Sequence, residues 1–307
     1  IAAAWGRADD CEQHFNDTMA AGCDHNTADH VRVLTSQSRA AIEYLLKHGV
    51  QFDRAANDFS LAREGAHSHA RVLHYKDRTG EAIIEPLLSA VRQHSNIDIL
   101  EHMTVLELAL DQGRCVGAYL RSADGEIVAV SAQQVFLATG GAGQLYEHTS
   151  NPQGATGDGM VLAHAVGAEL ADMEFVQFHP TSVLLDASTK HYMLLSEALR
   201  GAGARLVLAA GQSIMQGNER DLASRDVVSR AIFRQMQAGK QVYLDVSMLA
   251  DNFSERFPTL AKVLLKQGFD LQTDLVPIFP TAHYIMGGIK TDIHAQTRVP
   301  GLYAIGE

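Results

Sequence analysis

An apolar run, Val135-Phe-Leu-Ala138, leads directly into Thr139-Gly-Gly-Ala-Gly143, and Thr156-Gly-Asp-Gly159 then opens a stretch that reads as helix to Gly167. An apolar strand that delivers the chain to a glycine turn is how a doubly wound parallel sheet presents its ligand loop. Backbone N–H groups at such a turn and at a helix start, with one carboxylate in Asp158, suit the phosphate and ribose region of a dinucleotide. A tight strand-to-loop turn followed by an Asp helix cap would look the same. The G-x-G-x-x-G fingerprint itself is absent.

The pattern sits in a chain of 307 residues, long enough for two domains and a large core. With 46% hydrophobic and 20% charged residues, the composition excludes disorder, collagen and coiled coil. The 25 Lys+Arg against 36 Asp+Glu leave a net charge of −11, which argues against a nucleic-acid groove or an anionic-membrane surface. No run approaches the roughly 18 apolar residues of a membrane-spanning helix. Cys11, Cys23 and Cys115 are odd in number and form no C-x-x-C pair, so a reducing, cytoplasmic setting is the simple reading. The chain starts without Met and stops just past a strand-like run, so both ends read as cut from something longer.

Helical spacing of Val31, Leu34, Ala41, Ile42, Leu45 and Leu46 predicts helix through residues 8–48, with Asn26 or Thr27 as a cap and Gly49 as the stop. Residues 52–75 have no clear period and are rich in His, Arg and Glu, the composition of a functional loop. A second amphipathic helix is predicted over Thr79–Gln93. Strand-like pieces at 97–100, 105–110, 115–120 and 127–130, with turns at Asp111-Gln-Gly113 and Ala123-Asp-Gly125, predict an antiparallel meander. From about Asp172 to His283 helical segments (192–199, 226–238, 253–267) dominate with little strand, which predicts an inserted, mostly helical second domain. Strand returns at 301–305.

Each chemical motif has a bland reading beside the functional one. His67, His69 and His74 lack the spacing or cysteine partners of a metal site, and Arg63-Glu-Gly-Ala-His-Ser-His69 reads as a polar loop facing a polar ligand. His179 precedes Pro180, so its backbone is extended. Glu197 and Arg200 stand at i and i+3 on one helical face, as a solvated ion pair or something more. Arg225 follows a candidate cap, Ser224, in a first helical turn where the dipole disfavours a cation, which raises the odds of a functional role. His283 lies beside the glycine pair of Met286-Gly-Gly288.

The order of the motifs is the specific signal. Arg63-Glu-Gly-Ala-His-Ser, Ala138-Thr-Gly-Gly, Thr156-Gly-Asp-Gly, Gln177-Phe-His-Pro-Thr, Glu197-Ala-Leu-Arg-Gly, Ser224-Arg-Asp-Val-Val, Ala282-His-Tyr-Ile-Met-Gly-Gly and Pro300-Gly-Leu-Tyr-Ala-Ile-Gly-Glu307 follow one another along the chain. Over nearly its whole length this resembles the succinate dehydrogenase/fumarate reductase flavoprotein superfamily. Within it the chain is most similar to the members that oxidise L-aspartate, mainly because of Glu64. The resemblance implies an α/β fold: a doubly wound FAD-binding domain, incomplete here, over 1–171 and 286–307, with an inserted, mostly helical α+β capping domain over 172–285. The family's G-x-G-x-x-G unit would precede Ile1, and a further flavin- and substrate-binding segment would follow Glu307.

The resemblance also implies FAD as cofactor, touched by Thr104 and Val105 on the adenosine side, by Asp158, and by Glu307 on the ribityl side, with no metal. The implied reaction moves hydride from the α-carbon of L-aspartate to the flavin, giving iminoaspartate, the first step of de novo NAD biosynthesis; oxygen or fumarate would reoxidise the flavin. His179, Ser196 and His283 would hold substrate carboxylate and Glu64 would face the ammonium. Arg225 matches the catalytic Arg, with Glu197 and Arg200 as a proton relay behind it. L-aspartate or a related C4-dicarboxylate is the implied substrate and quinolinate synthase an implied partner. Departures from the family pattern are Gly65-Ala66 for Gly-Gly, Ser196 for Thr, and Gln212-Ser-Ile-Met215 for a Gly-x-Arg-Phe-Met loop. The alternatives are a succinate dehydrogenase or fumarate reductase flavoprotein subunit, where a Gln is typical at the place of Glu64, and a non-catalytic fragment.

Overall fold

The computed structural model describes residues 1–6, 9–56, 58–216 and 220–306. Contacts divide the chain into two units, Ile1–Ile97 with Pro180–Pro280, and Asp98–His179 with Thr281–Glu307. Two of these boundaries lie near the expected 171/172 and 285/286. The division differs over the first 97 residues, which share a unit with the inserted segment. Bonds from Gly65 to Glu197 and from Asp77 to Thr259 are among those that tie the two together.

The predicted helix over 8–48 is two helices, α1 (Cys11–Ala21) and α2 (Ala28–Lys47). The break falls where Cys23 and Asp24 take φ of 53° and 57°, which no α-helix tolerates. Asp10 caps α1, its Oδ1 accepting from the Gln13 N–H at 2.7 Å. Thr27 is the N-cap of α2 without a side-chain bond, and Gly49, at φ 88°, follows the stop. Ile42 of α2 packs with Ala3, Val50, Phe52 and Leu73 in a small core. Residues 52–75 form two short hairpins: β1 (Arg54–Ala55) with β2 (Asp58–Phe59), and β3 (Leu61–Ala62) with β4 (Val72–Leu73). Helix α3 (Thr79–Gln93) is as the periodicity predicts.

The meander is β5 (Thr104–Asp111), β6 (Arg114–Arg121) and β7 (Ile127–Ser131), antiparallel throughout; residues 97–100 are not a strand. Strand β8 (Val135–Leu137) then enters the glycine turn, and α4 (Asp158–Ala165) follows. Next come β9 (Leu170–Ala171), β10 (Val176–Asp186), β11 (His191–Leu194), α5 (Glu197–Gly201), β12 (Arg205–Leu208), α6 (Arg225–Gln237) and β13 (Val242–Asp245). The chain closes with α7 (Phe253–Arg256), α8 (Pro258–Lys266), β14 (Leu275–Ile285), β15 (Gly288–Ile289) and β16 (Leu302–Ala304). Strands β16 and β8 pair in parallel, Leu302 opposite Val135, over a core of Leu108, Cys115, Leu137, Ala163 and Leu302. This parallel pair is the described portion of the expected doubly wound sheet.

The inserted segment is richer in strand than expected. It carries a five-stranded sheet in the order β11-β10-β14-β13-β12, whose ladders β10/β11, β12/β13 and β13/β14 are antiparallel. Two things hid it. Strands β10 and β14 contain Pro180, Pro277 and Pro280, residues that argue against a central strand. From His179 to Val183 β10 is also buried without alternation, its Thr181 hydroxyl satisfied by the Leu195 carbonyl at 2.8 Å. The expected helix over 192–199 is strand β11 followed by the short α5. Leu195, Leu199, Leu206, Ile232, Leu244, Phe253 and Ile278 fill the core beside the sheet.

Helix α8 begins after Phe257, which offers no side-chain acceptor, and its cap comes from far along the chain. Asp77 accepts from the Thr259 N–H at 2.8 Å, the Leu260 N–H at 3.2 Å and the Thr259 hydroxyl at 2.9 Å. Asp77→Ala is expected to cost about 1 kcal/mol, the usual value of a lost cap, read as a lower thermal midpoint; an unchanged midpoint would show the cap to be idle.

Candidate active site

Glu197 is the first residue of α5, and Ser196 caps that helix by accepting from the Ala198 N–H at 3.2 Å. The helix delivers Glu197 and Arg200 into the interior, 8% and 2% exposed, so the pair is not the solvated one that its spacing also allowed. Glu197 Oε2 accepts from Arg225 Nε at 2.9 Å and lies 3.6 Å from Arg200 Nη2; Oε1 accepts from the Gly65 N–H at 3.2 Å. Arg200 Nη1 donates to the Asp221 carbonyl at 2.5 Å, while its buried Nε has no hydrogen-bond partner among the described residues. Asp221 itself is held by the Leu206 N–H at 2.9 Å.

Burial alone would push the Glu197 carboxyl up. The Arg225 hydrogen bond, the Arg200 and Arg225 charges and the Gly65 N–H outweigh it and hold the group below the usual carboxylate range. Burial also pulls Arg200 below the ordinary guanidinium value, with Glu197 opposing and Arg225 reinforcing the shift. The result is an ionised carboxylate between two arginines, one fully buried and one partly exposed.

Arg225 opens α6 as expected. The Ser224 hydroxyl, read as its cap, donates to Asp226 Oδ1 at 2.5 Å and makes no cap bond.

The loop between β3 and β4 carries Glu64, and the residue after it, Gly65, reaches this carboxylate with its N–H. Its backbone turns at residues 64–67, closed by the His67 N–H donating to the Glu64 carbonyl at 3.3 Å, with Ala66 at φ 64°. A positive φ at the third turn position is where glycine is favoured. At the second position a Cβ on Gly65 would lie 2.7 Å from Glu197 Oε1, so a larger residue would have to displace the carboxylate that the Gly65 N–H meets. Glu64 is half-buried; its carboxylate makes no hydrogen bond or ion pair among the described residues and interacts electrostatically with the Ile1 amino group and His67, while the Arg63 Nε donates to the His67 carbonyl at 2.8 Å. His74 pairs with Asp53 at 3.2 Å, and among the described residues no group of three or more His, Cys, Asp or Glu could hold a metal ion.

In the second unit, His179 on β10 and His283 on β14 stack edge to face, ring centres 5.2 Å apart. His283 Nδ1 is 3.0 Å from the Ser150 hydroxyl, and its carbonyl accepts from Asn151 Nδ2 at 2.8 Å. Thr104 and Val105 begin β5 and are exposed. Asp158 is exposed at the first position of α4, whose N-cap is Gly157 at φ 80°, so Asp158 is not the cap. Glu307 lies outside the described residues.

The sequence profile of the FAD binding domain family matches residues 2–307. The chain belongs to that family. It is 42% identical over 311 residues to an L-aspartate oxidase of Bacillus subtilis (strain 168), covering 100% of this chain and 58% of the relative. An L-aspartate oxidase of Streptomyces coelicolor is 42% identical over 320 residues, covering 100% of this chain and 55% of the relative. The chain therefore spans a little over half the length of these curated relatives. Among solved structures, a quinol-fumarate reductase with menaquinol molecules superposes at TM-score 0.92 and 31% identity, covering 99% of this chain and 56% of that one. Mycobacterium smegmatis Sdh1 in complex with UQ1 gives 0.82 and 31%, covering 100% and 55%. The α/β fold is thus that of an FAD-binding flavoprotein. No helix among the described residues is long and apolar enough to cross a membrane.

The residues present fit the family's cofactor. The turn Thr139–Gly143 runs against the start of α4, the Gly157 N–H donating to the Gly141 carbonyl at 3.2 Å. A Cβ on Gly159 or Gly143 would strike Thr139 or Asn151, so those glycines are needed for packing. One on Gly141 would meet nothing within 4 Å, so the protein leaves space there. An open glycine turn, a helix N-terminus and the Asp158 carboxylate offer donors for phosphate and an acceptor for ribose or ribityl hydroxyls.

Gly65 and Ala66 give a paired prediction. Gly65→Ala is expected to cost about 1–3 kcal/mol, because a hydrogen bond to a buried charge is broken. Ala66→Gly is expected to be neutral or to gain up to about 1 kcal/mol as backbone strain is relieved. Denaturant midpoints of both variants check it, and the reverse ordering would contradict the turn geometry.

Proposed function

We propose that this chain carries the catalytic residues of an FAD-dependent L-aspartate oxidase, with residues 1–171 and 286–307 as the FAD-binding part and 172–285 as the capping part. The reaction is oxidation of L-aspartate to iminoaspartate, the first step of de novo NAD biosynthesis, in the cytoplasm, with quinolinate synthase as a partner. The relatives above support the activity. The single observation that carries the substrate is Glu64, a half-buried carboxylate without a hydrogen bond or an ion pair among the described residues, in the turn that rests on Glu197.

Bound FAD would supply the hydride acceptor, held by Thr104, Val105, Asp158 and Glu307. The chain's own residues bind the substrate and handle its protons. His179 and His283 donate to substrate carboxylate. Ser196 spends its lone pair on the Ala198 N–H, which leaves its hydroxyl proton for the same purpose. Glu64 accepts from the ammonium. Loss of hydride from the α-carbon must be matched by loss of a proton from the amine, and Arg225 with Glu197 and Arg200 forms the route for that proton.

The second reading, a succinate dehydrogenase or fumarate reductase flavoprotein, is favoured by the solved structures to which the chain is similar. Glu64 separates the two, because a carboxylate repels a dicarboxylate that lacks an amine. A charge-assisted bond to the ammonium is worth about 1.5–3 kcal/mol, roughly 10- to 150-fold. Glu64→Gln in the flavin-loaded full-length protein is expected to lower kcat/KM for L-aspartate by that factor and to leave fumarate reduction equal or better. A parallel loss in both assays would remove the ammonium role, and a wild type that oxidises succinate but not aspartate would establish the second reading. Arg225→Leu is expected to lower turnover by about 10²–10⁴-fold with flavin retained, the usual size of a positioned proton-transfer group. Near-normal kcat would take Arg225 out of the mechanism.

A further inference from the structure

The loop that holds Glu64 is anchored at its other end by charges that the proposed chemistry does not use. Arg71, at the start of the return strand, has a side chain that is 0% exposed. Its Nε and Nη2 donate to the two oxygens of Asp9, both at 2.8 Å, and its Nη1 lies 2.8 Å from Asp17 Oδ2. Asp17, on α1, also accepts from the Ser68 N–H at 2.8 Å and the Ser68 hydroxyl at 2.7 Å, and Ser68 directly follows the 64–67 turn. The turn is thus gripped on both sides, through Gly65 by Glu197 and through Ser68 by Asp17.

Buried ion networks of this kind are weak sources of net stability, because desolvation offsets the attraction. What they supply is a fixed geometry. Burial would raise the Asp17 carboxyl, but the Ser68 bonds, the Gln13 amide and Arg71 bring it down to about 2. His14 and His67 flank the cluster and are held below the ordinary imidazole value by burial first and Arg71 second. Around neutrality Asp17 is therefore ionised and the two imidazoles are neutral.

We propose that Asp17 is a positioning residue for Glu64: by holding Ser68 it sets the turn that aims the Glu64 carboxylate, and so tunes selectivity for a substrate bearing an ammonium group. The selectivity part rests on the reading of Glu64 given above; the grip on the turn does not.

The test uses the flavin-loaded full-length protein with Asp17→Ala, Asp17→Asn and, as a milder change, Ser68→Ala. Amide hydrogen exchange reads the grip without any assay of activity. In Asp17→Ala the amides of residues 64–68 should exchange about 10-fold faster or more while those of α6 keep wild-type protection. Unchanged exchange at 64–68 would overturn the proposal, and if Asp17→Ala does not fold, Ser68→Ala is held to the same criterion at about 3-fold. Kinetics read the selectivity. KM for L-aspartate should rise about 10-fold with kcat within about 3-fold and KM for fumarate nearly unchanged, as expected when a binding group is misplaced and the chemistry is not. Asp17→Asn, whose amide oxygen still accepts from Ser68, should recover most of the loss. Equal rises for both substrates would overturn the selectivity claim, whereas a wild type inactive on L-aspartate would overturn the functional reading and leave the exchange result to decide the grip.

Discussion

A carboxylate at Glu197, taken out of water and kept ionised, is the constraint around which the first unit is arranged. Two guanidinium groups and one backbone N–H satisfy it, and each comes from a different stretch of chain: Arg200 from the same short helix, Arg225 from α6, Gly65 from the β3–β4 loop. An unpaired buried charge is strongly destabilising, so the three partners must arrive together. That requirement explains local features that otherwise look arbitrary: a glycine where a Cβ would strike the carboxylate, a Ser cap on a five-residue helix, and an Arg in the first turn of α6. The dipole mismatch at Arg225 is resolved by Glu197, a carboxylate supplied from outside the helix.

The same carboxylate joins two jobs. Through Oε2 it meets the groups that would move a proton, and through Oε1 it supports the turn that carries Glu64. A shift of either neighbour is felt by the other through one side chain, so the turn that carries Glu64 and the Arg225 side chain are mechanically linked. The five-stranded sheet and its apolar core supply the stiffness behind this arrangement, because β11 leads directly into Ser196 and β12 receives the Asp221 carboxylate on its Leu206 N–H.

How much of this was legible beforehand varies with the physics of each element. Where one face of a helix is apolar, as in α3, the period reports the element to the residue. Three strands of the meander were readable to within a residue because their turns are glycine-marked, while the fourth expected piece, 97–100, is not a strand. Strands β10 and β14 were not readable, because both carry prolines and β10 is buried without a break from His179 to Val183, which erases the alternation that marks a strand. Among the proposed site residues, spacing and helix position singled out Glu197, Arg200 and Arg225 while the family resemblance supplied their roles, whereas the place of Gly65 depends on a contact 132 residues away that no local pattern encodes. Asp17 and Arg71 were missed altogether. The one available signal was an Arg placed directly before the apolar pair Val72-Leu73, which a strand only buries when carboxylates wait for it.

The most direct measurement is steady-state kinetics of Glu197→Gln in the full-length, flavin-loaded protein, with flavin content and thermal midpoint recorded on the same batch. If one ionised carboxylate serves both jobs, kcat for L-aspartate oxidation falls by about 10²–10⁴-fold and KM rises in the same variant, while flavin remains bound. A folded Glu197→Gln protein with kcat and KM close to wild type would contradict the account, reducing Glu197 to one more buried ion pair.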